Sequence, residues 1–266
     1  MDTEYGSYTW AAAHAGQPSP AELWAETSRG LWALARTRAQ AMLARAGLGP
    51  RAFRLLVSEL PQPRSPLVAA AEARLVSVPA HLRAHSYRTY AFGAMLGLRD
   101  GLRFDAEALL LASLLHDVGL AQPAGAACFA QRGAEDARVV LEVAGARAAL
   151  VDEVMDAITR HLDVTPSGSV ESQLLRRGAG FDVVADGFFL LHREARRDVV
   201  SRWPREDFAA SVTRDLEGEA TRHPGTRVAF LCHRLDFPAL IQVAERRFAR
   251  DRAAAGSVES EAELRG

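Results

Sequence analysis

The chain contains no lysine: all 32 of its cationic side chains, histidine aside, are arginine. This excludes Schiff-base lysine chemistry and a lysine-bearing phosphate loop. Cysteine is nearly as scarce. Cys128 and Cys232 lie far apart and neither stands in a Cys-x-x-Cys pair. A structural zinc knuckle is therefore not expected; two unpaired thiols in a reducing compartment are. Charge imbalance is absent too. The 32 basic side chains face 33 acidic ones, for a formal net charge of −1. No electrostatic ground remains for nucleic acid or an anionic membrane as partner. No segment alternates with period two and β-branched enrichment, so no sheet is expected. The longest apolar run is too short to cross a bilayer. The first residues, Met1-Asp-Thr-Glu-Tyr5, show neither a basic region nor an apolar one. The expectation is a cytoplasmic protein without a signal peptide.

What the chain does have is helical spacing of apolar residues. At 266 residues it can bury one sizeable core, with or without an extension. Residues 1–20 read as a loose arm. Residues 21–47 read as a helix, closed by Gly47-Leu-Gly-Pro50. Pro61-Gln-Pro63-Arg-Ser-Pro66 reads as a linker. Helical segments are expected near 67–77, 80–98, 106–118, 131–145, 146–162, 171–201 and 226–250, with Gly133 weakening the fourth. Pro204 and His223-Pro224-Gly225 read as turns. The expected fold is an all-α bundle. Its parts are an N-terminal arm and helical extension (1–60), a main domain (61–250) and a disordered tail (251–266) that loses apolar residues.

The most informative stretch runs from Glu107 to Leu120. It is apolar on all sides yet ends in His116-Asp117. A helix apolar all round belongs in a core. Two unpaired ionisable groups there would cost several kcal/mol or shift their pKa values far from normal. A divalent ion removes the conflict, because neutral imidazole and carboxylate both ligate Zn, Mn, Fe or Ni. Further ligands are then expected. His85 lies on a helical segment upstream, and Asp182 stands downstream between Phe181 and Val183-Val184.

The order His, His-Asp, Asp on separate helices resembles the HD superfamily of metal-dependent phosphohydrolases and related enzymes. The surrounding text, His85-Ser-x-Arg88-x-Tyr90, Leu114-Leu-His-Asp-Val-Gly-Leu120 and Gly178-Ala-Gly-Phe-Asp-Val-Val184, is similar to its cyanamide hydratase-like branch. The resemblance spans roughly residues 65–240. It implies an HD-domain helical bundle with one divalent metal held by His85, His116, Asp117 and Asp182. It also implies water activated for attack on a small cyanamide- or nitrile-like substrate, with Asp117 catalytic as well.

His161 ends an amphipathic helix before a Pro-Ser-Gly loop and is assigned to proton transfer or substrate contact; the alternative is an ordinary helix-end histidine. Arg88 shares a helical face with His85 and is assigned to substrate binding, as partner of an anionic group or of a ligand carboxylate; an ordinary salt bridge is the other reading. Asp186 reads as a partner of a nearby arginine or ligand histidine. His81 reads as a surface or supporting residue.

Nucleotidase branches often carry a Glu three residues beyond the HD aspartate. Leu120 occupies that position here, which weakens nucleotide hydrolysis. Only His161 falls between the HD pair and Asp182, which favours one metal over two. Two alternatives remain: a phosphomonoester or nucleotide hydrolase, and a non-catalytic metal-binding regulatory module with residues 1–60 as its interaction arm. A small molecule is the expected partner, and the sequence leaves room for a homo-oligomer.

Overall fold

Apolar residues recurring at three- and four-residue spacing fold as helices that bury one another. The computed structural model describes residues 4–122, 125 and 127–263; among these all regular structure is helical, apart from one isolated bridge between Phe53 and Leu191. The helices are α1 (Tyr8–His14), α2 (Pro20–Arg45), α3 (Pro66–Leu75), α4 (Ala80–Arg99), α5 (Ala106–Leu115) and α6 (Phe129–Val143). They continue with α7 (Ala148–Arg160), α8 (Val170–Val184), α9 (Arg193–Arg202), α10 (Phe208–Arg222), α11 (Arg227–Arg234) and α12 (Phe237–Glu263). No helix among the described residues is long and apolar enough to cross a membrane.

The all-apolar helix α5 is the central strut. Asp105 caps its start, accepting from the backbone N–H groups of Glu107 and Ala108 at 2.9 and 3.1 Å. Every residue from Ala108 to Leu115 is buried, wrapped by α3, α4, α7 and α8. The helix ends at Leu115, so His116 sits at its C-cap and Asp117 in the turn beyond.

Helices α4 and α8 make the most extensive contact in the molecule. Glycines allow their close approach. A Cβ on Gly178 would overlap the Thr89 carbonyl oxygen, and one on Gly93 would lie 2.7 Å from the Leu174 oxygen. This crossing brings His85 of α4 next to Asp182 of α8. Gly133, within α6, has a similar role: a Cβ there would stand 2.9 Å from the His116 carbonyl oxygen.

Several expectations need correction. The segment 171–201 is not one helix. Ala185 and Gly187 adopt positive φ (56° and 71°), α8 stops at Val184, a short 3-10 turn follows, and α9 begins at Arg193. Asp236, at φ 50°, likewise separates α11 from α12. Helix α10 fills a stretch for which no helix was expected; its stripe Phe208, Val212, Leu216 and Ala220 is buried.

From Glu4 on, the stretch expected to be a loose arm is not loose. Ser7 caps α1, Trp10 is 2% exposed, and its ring lies 5.2 Å from the Arg227 guanidinium. The proline-rich stretch is fastened to the core, where Val57 and Leu60 are buried and Tyr90 Oη donates to the Pro61 carbonyl. Helix α12 continues to Glu263 through most of the stretch read as a disordered tail. Residues 264–266 of that tail lie outside the described residues.

Candidate metal centre

Three helices deliver imidazoles to one buried point. His85 comes from the second turn of α4, His116 from the cap of α5 and His161 from the cap of α7. Each has its Nδ1 tied back to an acceptor. His85 Nδ1 donates to Asp182 Oδ2 at 2.7 Å, His116 Nδ1 to the Ser113 carbonyl at 2.8 Å, and His161 Nδ1 to the Ile158 carbonyl. Carbonyls and carboxylates only accept, so the proton is assigned to Nδ1 in each ring. In neutral imidazole the Nε2 lone pair is then free to bind an ion.

Those lone pairs converge. His85 Nε2 lies 3.2 Å from His116 Nε2; Asp117 Oδ2 lies 3.5 Å from the first and 3.3 Å from the second. Two nitrogen lone pairs at that separation repel unless something positive stands between them. A tetrahedral ion with bonds of about 2.1 Å places its ligand atoms about 3.4 Å apart. The three observed edges match one face of such a polyhedron. His85, His116 and Asp117 are all buried, at 2%, 0% and 6% exposure, and form the cluster able to hold a metal ion among the described residues. His161 Nε2 stands just outside, 3.8 Å from Asp117 Oδ1.

The electrostatics follow the geometry. Burial alone would raise the Asp117 carboxyl, but His116, His85 and His161 hold it well below the usual carboxylate range. Burial lowers His85, against the pull of Asp182 and Asp117. For His116 burial is outweighed by Asp117 and by the Ser113 carbonyl, and the ring is pushed up. Burial and the neighbouring His116 push His161 down to about 3, leaving it neutral near pH 7.

Asp182 does not join the three. Its Oδ2 is engaged by His85 Nδ1 and by Arg88 Nη2 at 2.9 Å, and Oδ1 accepts from Arg205 and from Arg88 Nε at 2.9 Å. Arg205 and Arg88, with His85, hold this carboxylate ionised against complete burial. Its position is that of a carboxylate orienting a ligand histidine from behind.

Arg88 is corrected in the same way. It has no exposed surface, and its guanidinium is committed to Asp182 and to the Trp203 and Pro204 carbonyls at 3.1 and 2.8 Å. It does not reach the pocket described below, and its salt bridge to Asp182 is one of the partners foreseen for it. Asp186 pairs with Arg176 at 2.9 Å, as its reading anticipated. His81 pairs with Asp215 at 2.7 Å, away from the cluster.

Sequence reasoning missed Phe208 and Arg205. The Phe208 ring stacks on His85 with centroids 5.2 Å apart, and both Arg88 and Arg205 lie over it. The four-residue stripe starting at Phe208 was the signal that could have found it. Also missed was the anchor beneath His161. Arg227 donates to Asp163 at 2.9 Å and to the Thr159 carbonyl at 2.8 Å, fixing the turn that follows α7.

The cluster opens into a pocket of about 360 Å³ reached by His85, His116, Asp117 and His161. Its walls come from α2, α8, α10, α11 and the start of α12. Residues 82–179 match the HD domain family. No curated protein matched the chain. The matched span contains His85, His116, Asp117 and His161 and stops three residues short of Asp182.

Proposed function

We propose that this HD-domain chain is a metal-dependent hydrolase or hydratase, with one divalent ion (Zn, Mn, Fe or Ni) held by His85, His116 and Asp117. The observation that carries the reading is the triangle of Nε2, Nε2 and Oδ2 atoms at 3.2–3.5 Å, each imidazole locked from behind, at the floor of a pocket. When bound, such an ion lowers the pKa of a water toward neutrality.

The chain's own residues do the rest. Asp182 fixes the His85 ring, and the Ser113 carbonyl fixes that of His116. His161, lining the pocket 3.8 Å from Asp117, is placed to accept a proton from water entering the pocket and to return it to the reacting group.

The reacting group is an uncharged electrophilic carbon, of the nitrile or amide kind. Toward a nitrile, the water oxygen bonds to carbon, one C–N π bond opens onto nitrogen, and the water proton is delivered there; tautomerisation gives the amide. An uncharged group suits the pocket because its lining is mostly apolar and the lining Arg176 is already paired with Asp186.

The test is elemental analysis of the purified protein, followed by turnover assays with nitriles, amides and phosphomonoesters after loading each metal. Stoichiometric metal and turnover of the uncharged substrates are expected. Turnover confined to phosphomonoesters would replace the reading by its phosphohydrolase alternative. Bound metal without turnover of any of them would favour a regulatory module.

A further inference from the structure

The walls of the pocket restrict its substrate further. Leu34 of α2, Val183 of α8, Val212 and Leu216 of α10, Leu235 and Leu240 make them predominantly apolar. Exposure rises outward: Val212 and Leu216 are buried, whereas Arg234 and Asp236 at the rim are exposed. The charged groups lining the interior are already satisfied. Arg176 donates to Asp186 at 2.9 Å and to the Asp163 carbonyl at 3.1 Å, and Asp163 is held by Arg227. Deep in the pocket of the metal-free protein an anion would lose its hydration beside the Asp117 and Asp163 carboxylates, and the lining Arg234 stands exposed at the rim. An alkyl group would lose nothing and bury apolar surface.

We propose that the substrate is an uncharged amphiphile. Its electrophilic head lies at the cluster, and its apolar body of several carbons fills the space between α2, α8, α10 and α11. The identity of the head rests on the function proposed above; the apolar body rests on the walls alone. A head group without a tail, such as cyanamide, leaves that space unused.

The experiment measures binding of straight-chain alkyl nitriles, from propionitrile upward, by calorimetry to the metal-free and the metal-loaded protein. Straight-chain alkyl phosphates of matching length run in parallel. The dissociation constant of the nitriles is expected to fall about fourfold per added methylene until the rim is reached, in both forms of the protein. In the metal-free protein the phosphates are expected to bind more weakly at every length.

Leu34→Asp, which places a carboxylate in the wall from a partly exposed helix, should weaken the longest nitrile by roughly tenfold or more. Leu34→Ala, milder for folding, should flatten the chain-length dependence. Affinity independent of chain length, or phosphates bound more tightly than nitriles by the metal-free protein, would overturn the proposal. Failure of the protein to hold metal, with the chain-length dependence intact, would remove the catalytic reading and leave the apolar selectivity standing.

Discussion

His85 Nε2 and His116 Nε2 face each other across 3.2 Å, each with its other nitrogen engaged behind. One positive species fits between them, a proton or a metal ion. The nearest carboxylate oxygen, Asp117 Oδ2, then decides which is held more tightly. Asp117→Ala should therefore lose most of its metal and its turnover while keeping the wild-type far-UV circular dichroism, because the apolar helix α5 packs without it. Full metal content in that variant would remove Asp117 from the ligand set.

His161 separates proton handling from metal retention. Its Nε2 lies 3.8 Å from Asp117 but outside the triangle. His161→Ala is expected to lower kcat by about 10²–10⁴-fold with metal content near that of the wild type. Metal lost in proportion to activity would instead make it a ligand, and would reopen a two-metal site.

Arg88 belongs to the framework around Asp182. Arg88→Met should reduce unfolding stability by roughly 3–5 kcal/mol, because a buried carboxylate loses one of two paired cations. KM measured on the surviving folded fraction should change little. A large KM increase at undiminished stability would restore the substrate-binding role that the spacing from His85 first suggested.

Gly178→Ala tests the helix crossing. The added methyl meets the Thr89 carbonyl oxygen, which α4 holds in place, so α4 and α8 must separate. A loss of about 1–3 kcal/mol is expected, together with weaker metal binding, since His85 and Asp182 sit on the two helices that part. Unchanged stability and metal affinity would show that the crossing has slack.

A carboxyl away from the metal cluster should make stability depend on pH. Burial, then the hydrogen bond and charge of Glu171, push Glu153 up to about 7 from an ordinary 4.5. Between those values the folded protein holds a proton that the unfolded chain has released. Stability should therefore fall as pH rises through that window and level off above it. Glu153→Gln should remove this component. Thermal melts of both proteins from about pH 5 to about 8 decide the matter; parallel curves would exclude Glu153 as the source.

Much of this was legible in the residues. An apolar run that ends in His116-Asp117 points to a buried charged site, and His85 is on a helix that reaches it. The role of Asp182 was less legible. A carboxylate beside a cluster can ligate or orient, and here its Oδ1 accepts from Arg205, from a loop 23 positions later. No local pattern announces such a partner. Helix α10 stayed hidden because Thr213, Arg214, Asp215, Glu217 and Gly218 dilute its apolar stripe, although Phe208, Val212 and Leu216 carry the spacing. The break after Val184 was obscured by Phe188, Phe189, Leu190 and Leu191, which continue the apolar text while Ala185 and Gly187 turn the backbone.

The pocket is assembled from two provinces of the chain. His85, His116, Asp117 and His161 fall inside residues 82–179, whereas Leu34, Val212, Leu216, Leu235 and Leu240 fall on either side. Mutational drift in those outer walls can re-choose the molecule that enters without disturbing a single ligand. Two chains could thus share every residue of the reactive centre and still consume unrelated compounds. The residues to compare when inferring diet are those on α2, α10 and α11, which the shared segment does not contain.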